Sequence, residues 1–373
     1  MEFEDYINAY YGGTLGISKR YGIEKAAVTT TTMAEGLNTM YGAKVFNQLN
    51  TKSEVFKLLK KEPWTQSGWR VMTARHDQTN GIQEGQSLGT TAQPTFVECK
   101  ANLAEVVTTW EITTKAELLS EADDGLGNLA TFLRKENAEA HAYYIDAMLL
   151  SDSDTPSTAT ASDFETLDRV TISHAANGAL NSAATDADMW DITDDGIDRS
   201  ANAWSDAFVS HASGTERTLA LSFIDDAIQS ALENGVNYNS LILLTGYDTY
   251  QDLKGKMQTQ TANYRYDLAQ GGAGSMNGVA GEAGLAFDSR VGSYDGIPIF
   301  LSQHVQHDAD STSRIYLLDM ENLAFRVAAP TTYVDNTNIA VTQTLSKDFA
   351  FLTAGNLICY KFKTQGSIRD LDI

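Results

Sequence analysis

The run Asp191-Ile-Thr193-Asp-Asp195-Gly196 comes nearest to a chemical site in this chain of 373 residues. Side-chain oxygens at positions one, three and five, then glycine at six, are the opening of a calcium loop. The twelfth position, however, is Asn202 rather than a bidentate glutamate, and the apolar residue falls at seven, Ile197, not eight. Asp191, Thr193 and Asp195 are therefore a weak calcium candidate, and a solvated acidic turn is the expected form. His304, His307, Asp308 and Asp310 place two imidazoles and two carboxylates within seven residues. Their i, i+3 spacing would suit a metal on a helix, but the stretch has the pattern of a strand end and a loop. The glycine-rich run 271–284 has no Gly-Lys-Ser/Thr and follows no strong strand, so it is expected to be a loop that cradles no phosphate. No Gly-x-Ser-x-Gly elbow and no His-Glu-x-x-His occurs, and neither Cys99 nor Cys359 has a histidine partner in sequence. Acid pairs such as Asp123/Asp124 and Asp225/Asp226 are what any acidic surface carries. No catalytic residue and no cofactor is expected, and the chain is not expected to be an enzyme.

The elements that would have to position such groups follow from periodicity. Residues 1–63 mix small residues, tyrosines and charges, with glycines at 12, 13, 16, 22, 36 and 42. That pattern predicts an extended arm with short helical pieces, one of them near Lys52–Lys61. From Trp64 the period becomes two: Trp69, Val71 and Thr73 alternate with Arg70, Met72 and Ala74. After a turn-rich tip the chain returns through Phe96–Lys100 and runs on through Val106–Ile112, which predicts a long β-hairpin. Arms of roughly fifteen residues at about 3.3 Å each would reach on the order of 50 Å. Leu126, Leu129, Leu133, Ala140, Tyr144 and Met148 then mark one stripe of a helix from Asn128 to Leu150, about 35 Å long. Residues 157–215 are expected to form surface loops. A second amphipathic helix spans Leu221–Leu232 and stops at Asn234-Gly235, Leu241–Leu244 is a short buried strand, and Tyr247–Met257 another helix. Strands are expected at Ile297–Val305, Arg314–Leu318 and Leu357–Phe362. In the last, Ile358, Tyr360 and Phe362 would face one way and Cys359, Lys361 and Lys363 the other.

Length and composition bound the class. At roughly 150 residues per domain the chain makes two or three domains, and 42% hydrophobic residues can build a core. Two cysteines exclude a disulfide scaffold, and free buried thiols are expected. The opening Met-Glu-Phe-Glu-Asp-Tyr is no signal peptide and no apolar run approaches a membrane span, so a soluble, non-secreted protein is expected. The net charge is −22. Residues 152–226 hold fifteen acids against three bases (Arg169, Arg199, Arg217), whereas residues 1–63 are nearly neutral. Such a surface repels polyanions as a whole. Its 30 Asp against 15 Lys suggest work in concentrated salt, where repulsion is screened over about 3 Å.

The layout of these elements resembles that of the major capsid proteins of tailed dsDNA viruses, the α+β Hong Kong 97-type fold. Three stretches carry the resemblance. Thr114-Lys-Ala-Glu-Leu-Leu-Ser-Glu-Ala-Asp-Asp-Gly-Leu-Gly-Asn-Leu is similar to the entry into the family's spine helix after its extended loop. Tyr294-Asp-Gly-Ile-Pro-Ile-Phe-Leu-Ser-Gln-His-Val is similar to its recurrent Gly-x-Pro-hydrophobic-x-x-Ser strand. Arg314-Ile-Tyr-Leu-Leu-Asp-Met-Glu-Asn-Leu-Ala-Phe-Arg, with Pro330 and the strand ending at Phe362, resembles its closing segment.

The resemblance implies an N-terminal arm at 1–63, an extended β-hairpin loop at 64–113, and a peripheral-domain spine helix within 114–151. It further implies an axial domain with an acidic insertion at 152–293, and return strands, mainly peripheral, at 294–373. The implied function is a shell subunit that self-assembles into pentamers and hexamers of an icosahedral capsid enclosing dsDNA, touched weakly and non-specifically by the inner face. Portal, scaffolding and decoration or turret proteins would be its other partners, with no membrane. It would be assembled in the host cytoplasm and reside in the virion capsid, and the composition suits a virus of a halophilic archaeon. Two departures from the family stand out. No long charged scaffolding helix opens the chain, so scaffolding would be a separate protein or the chain a processed form. Nor does any motif justify an isopeptide cross-link, although Lys100 and several asparagines are present. The same fold serves encapsulin nanocompartments, which is the alternative, and an acidic soluble hydrolase is a third.

Overall fold

The computed structural model describes residues 55–75, 84–85, 93–120, 129–151, 163–176, 197–199, 201–259, 290–305, 313–336 and 346–372. The chain divides into two compact units. Among the described residues, one unit is built from 106–144 and 329–353, and the other from 55–105, 145–328 and 354–372.

The larger unit is organised around a seven-stranded sheet. Strands β5 (Phe208–Ser210), β6 (Arg217–Thr218), β7 (Leu241–Thr245), β8 (Arg290–Tyr294), β9 (Ile297–Leu301), β10 (Ser313–Asp319) and β13 (Gly366–Asp372) contribute to it. The order is β5-β13-β10-β7-β9-β8, with β6 also on β13. β7 pairs with β9 in parallel and with β10 antiparallel, and all five of its residues are buried. Strands buried on both faces need continuous apolar runs rather than alternation, which is why Leu-Ile-Leu-Leu stands at the centre. The stretch 294–373, expected mainly in the peripheral domain, supplies three of these strands.

Helix Leu221–Glu233 covers this sheet with Leu221, Ile224, Ala227, Ile228 and Ala231, the helical spacing read from sequence. It packs in one core with Leu243, Ile299, Ile315 and Ile368. Gly235 ends it at φ +74, with Gly235 N–H donating to Leu232 O (2.8 Å) and Val236 N–H to Ala231 O (3.3 Å). That pair of bonds is the glycine-terminated cap expected of Asn-Gly. The Lys361 ammonium adds a bond to the Asn234 carbonyl. A second helix, Tyr247–Thr259, follows β7 as expected. Asp295 and Gly296, both at positive φ, make the two-residue turn between β8 and β9.

The smaller unit packs an aromatic cluster. Trp110 on β4 (Ala104–Thr113) lies 5.0 Å from Phe351 and 5.7 Å from Phe349 on β12 (Ser346–Cys359). Tyr333 on β11 (Leu323–Asn336) stacks on Phe349, and the Arg134 guanidinium sits 4.1 Å over the Tyr333 ring. Such aromatic pairs add about 1 kcal/mol each beyond burial. Strands β11, β12 and β4, with β1 (Lys60–Pro63), form a four-stranded sheet in the order β1-β11-β12-β4.

Several expectations are corrected. The chain after Lys100 does not lengthen the hairpin: β2 (Gly68–Ala74) and β3 (Thr95–Lys100) pair only with each other, and β4 joins the four-stranded sheet. Among the described residues the paired strands are seven and six residues, about 23 Å at 3.3 Å each. The long helix spans Leu129–Leu149, close to expectation, but Tyr144 is exposed, and the buried stripe is Leu129, His141, Ile145 and Leu149. Two polar side chains, His141 and Asp146, sit on the buried side, where a hydrophobic count does not look. The strand expected at 357–362 ends at Cys359, which is wholly buried rather than on a polar face, and Phe362 starts a turn of 3-10 helix. Within the stretch expected as surface loops, every residue from Phe164 to Thr171 is buried. No helix among the described residues is long and apolar enough to cross a membrane.

Candidate functional site

Asp191, Thr193 and Asp195 lie outside the described residues, as do the glycine-rich run 271–284, His307, Asp308 and Asp310. His304 follows β9, half-buried, its backbone N–H donating to Ser302 Oγ at 3.3 Å. Among the described residues, no three His, Cys, Asp or Glu side chains converge on a metal position. Asp225 accepts from the Tyr294 hydroxyl at 2.6 Å, which gives one of the acid pairs a packing role. Cys99 and Cys359 are buried free thiols, and burial pushes them up to about 11 and about 12. Thiols held that far above neutral pH are poor nucleophiles.

The most distinctive surface is the β2–β3 ribbon. Its register sets Trp69 opposite Cys99, Val71 opposite Val97 and Met72 opposite Phe96. One face turns to its own unit: Trp69 meets Tyr360 edge-on at 6.3 Å, and the Arg326 guanidinium lies 5.7 Å from both rings. Arg326 also donates to Gln66 O (2.8 Å) and to the Tyr360 hydroxyl (3.1 Å), which in turn donates to Glu62 (2.6 Å). That last bond, ahead of Lys60 and Arg326, holds the Glu62 carboxyl below its usual range. The other face carries the Arg70–Glu98 ion pair at 2.9 Å and, beside it, Met72 and Phe96, 47% and 59% exposed. A two-stranded ribbon has too little of its own core to be stable in water, and an uncovered Met–Phe pair adds to that cost. The arrangement suits contact with another surface rather than bond making.

The root of the ribbon is anchored by buried charge. Asp146 accepts from Val55 N–H (3.1 Å) and Phe56 N–H (2.7 Å), capping the single turn Val55–Leu58 that leads into β1. Lys61 closes the other end through the Phe56 and Leu59 carbonyls, its ammonium 3.8 Å above the Phe56 ring. Burial lowers that ammonium to about 8, with Asp146 opposing the shift. Phe56 packs edge-on against Phe325 at 5.2 Å, and Phe164 does the same at 5.0 Å.

A second buried group ties the acid-rich stretch to the sheet. Thr166 caps the turn Leu167–Val170 by accepting from Arg169 N–H, which presents Asp168 inward. Asp168 meets Arg314 at 2.7 Å, pairs with Arg369, and accepts from the Tyr316 hydroxyl at 3.1 Å. Arg169 pairs with Glu165 at 3.2 Å, and Arg199 donates to the Ile172 and Val170 carbonyls. Arg217 bonds the Arg369 carbonyl and lies 4.2 Å over the Phe223 ring. So Arg169 and Arg199 are buried and Arg217 is half-buried, with Glu165 and Asp168 buried beside them. Sequence reasoning missed this group because its members stand up to 201 residues apart. The available signal was three lone arginines among fifteen acids.

His141 is the third buried polar point, 1% exposed. Nδ1 lies 2.8 Å from Thr108 Oγ1 and Nε2 2.8 Å from Thr353 Oγ1, itself 2.8 Å from Thr331 Oγ1. Burial lowers its pKa below the usual 6.5. The neutral ring is thus the folded form's preference, and stability falls as pH drops below about 6.5, because the unfolded chain binds the proton more readily. Between pH 7 and 5 the wild type should lose melting temperature relative to His141→Gln, which keeps one donor and one acceptor. Parallel melting curves for the two proteins would remove the imidazole as the cause.

No family model and no curated protein sequence matches the chain. Solved structures do. The cyanophage A-1(L) capsid protein is similar at TM-score 0.63 and 15% identity, covering 93% of this chain and 100% of that one. The capsid protein of an empty GTA particle is similar at 0.56 and 13%, with the same coverage. The holo-SrpI encapsulin of Synechococcus elongatus is similar at 0.51 and 9%, covering 93% and 96%. The chain has the fold of these proteins, the α+β Hong Kong 97-type capsid fold.

Proposed function

We propose that the chain is the major capsid protein of a tailed dsDNA virus, self-assembling into the pentamers and hexamers of an icosahedral shell. The observation that carries this is that one capsid fold accounts for 93% of the chain and for 100% of the cyanophage capsid chain. Residues 1–63 are then the N-terminal arm and 64–113 the extended loop, with β2–β3 at its base. The spine helix within 114–151 and the four-stranded sheet are the peripheral domain. The seven-stranded sheet, fed from both 152–293 and 294–373, is the axial domain. Packaged DNA, a portal, scaffolding and decoration or turret proteins are the implied partners, and the virion capsid the location. The role is structural rather than catalytic. Thirty Asp against fifteen Lys support a shell built for concentrated salt, as in a virus of a halophilic archaeon.

The likeness to the encapsulin supports a second reading, a nanocompartment shell holding protein cargo. Expression in molar salt, with mass by light scattering and negative-stain imaging, tests both. Closed shells or rings of five and six support the shell role, and DNA content or a cargo enzyme then separates the two. A stable monomer of 40.6 kDa, with or without added scaffolding, would overturn it.

The uncovered pair gives a sharper test of the loop. Met72→Asp and Phe96→Asp should each leave the subunit's melting temperature within about 2 °C of wild type, since surface changes cost little. They should raise the subunit concentration needed for shells more than tenfold, because a central apolar anchor is worth about 2 kcal/mol per interface. Shells forming at wild-type concentrations would assign the pair no contact role.

A further inference from the structure

Three oxygens near the start of helix Tyr247–Thr259 stand apart from the rest of the larger unit. Thr249 Oγ1, Asp252 Oδ2 and Ser313 Oγ are shut off from solvent, and none of them meets a hydrogen-bonding group among the described residues. Thr249 is 0% exposed and Ser313 1%. Helix spacing and strand register put them on neighbouring elements. Thr249 and Asp252 stand at i and i+3, adjacent on one side of the helix. Ile315 of β10 pairs with Thr245 of β7, so Ser313 stands level with Tyr247, where the helix begins. The helix packs on β10, and Leu253, one turn after Thr249, shares a core with Ile315. Lys256 approaches only the other carboxylate oxygen of Asp252, Oδ1, at 4.0 Å. A buried polar atom without a partner costs free energy, and three of them gathered at one end of a sheet point to a group that they hold.

We infer that these oxygens coordinate a monovalent hard cation, sodium or potassium, which ties the helix to β10. The donor set selects the ion. All three are oxygens, which suits hard cations rather than transition metals. One carboxylate and two neutral hydroxyls carry a single negative charge, whereas calcium sites draw on several carboxylates. An anion would face the charge of Asp252, and Asp248 in the first turn already offsets the positive end of the helix dipole. The site is a property of the folded subunit and does not depend on the shell reading. In the concentrated salt that the composition suits, even millimolar affinity fills it.

Thr249→Val is the deciding variant, because it removes the hydroxyl and keeps the shape. Replacing a hydroxyl that holds nothing by a methyl group should leave stability equal or higher, whereas replacing a coordinating one should lower it. The full chain is melted in sodium, potassium and choline chloride at equal molar concentration. The wild type should melt about 3 °C above Thr249→Val in sodium or potassium chloride. That gap should close in choline chloride, whose cation is too large for a site between a helix and a strand. Ser313→Ala and Asp252→Asn should follow the same pattern. A Thr249→Val protein that melts with or above the wild type in all three salts would show that the hydroxyl holds nothing. One that melts below it by the same margin in all three would assign the hydroxyls to a water molecule. Either result overturns the cation.

Discussion

Asp168→Ala is expected to cost about 3–5 kcal/mol, enough to leave little folded protein at 37 °C, because removing one partner of a buried ion pair strands the other. Here it strands two. Arg314 and Arg369 are 4% and 1% exposed and meet on the same carboxylate oxygen, so their mutual repulsion is held in check by that one charge. The Tyr316 hydroxyl would lose its acceptor as well. Asp168→Asn keeps the shape and one acceptor and should recover only part of the loss, since charge is what the guanidiniums need. The exposed pair Arg70–Glu98 is the internal comparison: Glu98→Ala should cost under about 1 kcal/mol. Chemical unfolding of the three variants in molar salt decides the matter. Salt flattens exposed pairs and leaves buried ones, so an Asp168→Ala loss no larger than that of Glu98→Ala would show that the cluster does not hold the fold.

The same carboxylate gives a pH signature distinct from that of His141. Burial pushes Asp168 up, but Arg314 first, then Arg369 and the Tyr316 hydroxyl outweigh it and hold the group at about 2. An unfolded aspartate titrates near 3.9, so the folded value is the lower one. Its contribution is therefore complete above about pH 4 and disappears as pH falls towards about 2. His141 acts earlier, below about 6.5. Acid should thus loosen the packing around His141 before it releases the acid-rich stretch from the sheet.

How far the sequence alone leads depends on whether the deciding contacts are local. Helix Leu221–Glu233 and its Asn-Gly stop are set by neighbours within a few residues, and both are where the pattern puts them. The ribbon's alternation is equally local: Trp69, Val71 and Thr73 are half-buried while Arg70, Met72 and Ala74 are exposed. Where β3 hands over to β4 is not local. Both segments are β-branched and aromatic, and only the choice of partner, β2 in one case and β12 in the other, separates them. Burial of 164–171 was hidden for a related reason. Composition averages over the stretch, whereas Arg199 and Arg217 bond carbonyls 27 and 152 residues away and Asp168 meets arginines of the sheet. The uncovered Met72–Phe96 pair lay within the predicted hairpin. Its exposure became visible only with the register, since alternation says which residues share a face but not whether that face has a lid.

Gly355→Ala is expected to destabilise by about 3 kcal/mol, at the upper end for overpacking a core, although it adds a single methyl group. A Cβ at this position would lie 2.3 Å from the Arg326 carbonyl oxygen and 2.7 Å from Phe325 Cε1. The first of these is backbone, so no rotamer change relieves it, and β11 and β12 would have to part locally. The second is the ring that lies across the glycine, the way an aromatic residue covers a gap in a sheet. That ring is also what Phe56 and Phe164 pack against, so its displacement reaches both the root of the ribbon and the start of the buried arginine segment. Two other glycines calibrate the effect. At Gly68 a Cβ would come 3.1 Å from Cys99 O, and alanine there should cost about 1 kcal/mol on the same overpacking grounds. At Gly255, inside helix Tyr247–Thr259 with nothing within 4 Å, alanine should stabilise by about 0.5–1 kcal/mol through helix propensity. Melting temperatures in one buffer should therefore rank Gly255→Ala above wild type, Gly68→Ala slightly below it and Gly355→Ala far below. If Gly355→Ala melts with the wild type, β11 and β12 are looser than their contact at Phe325 requires, and the ring is not what holds the root in place.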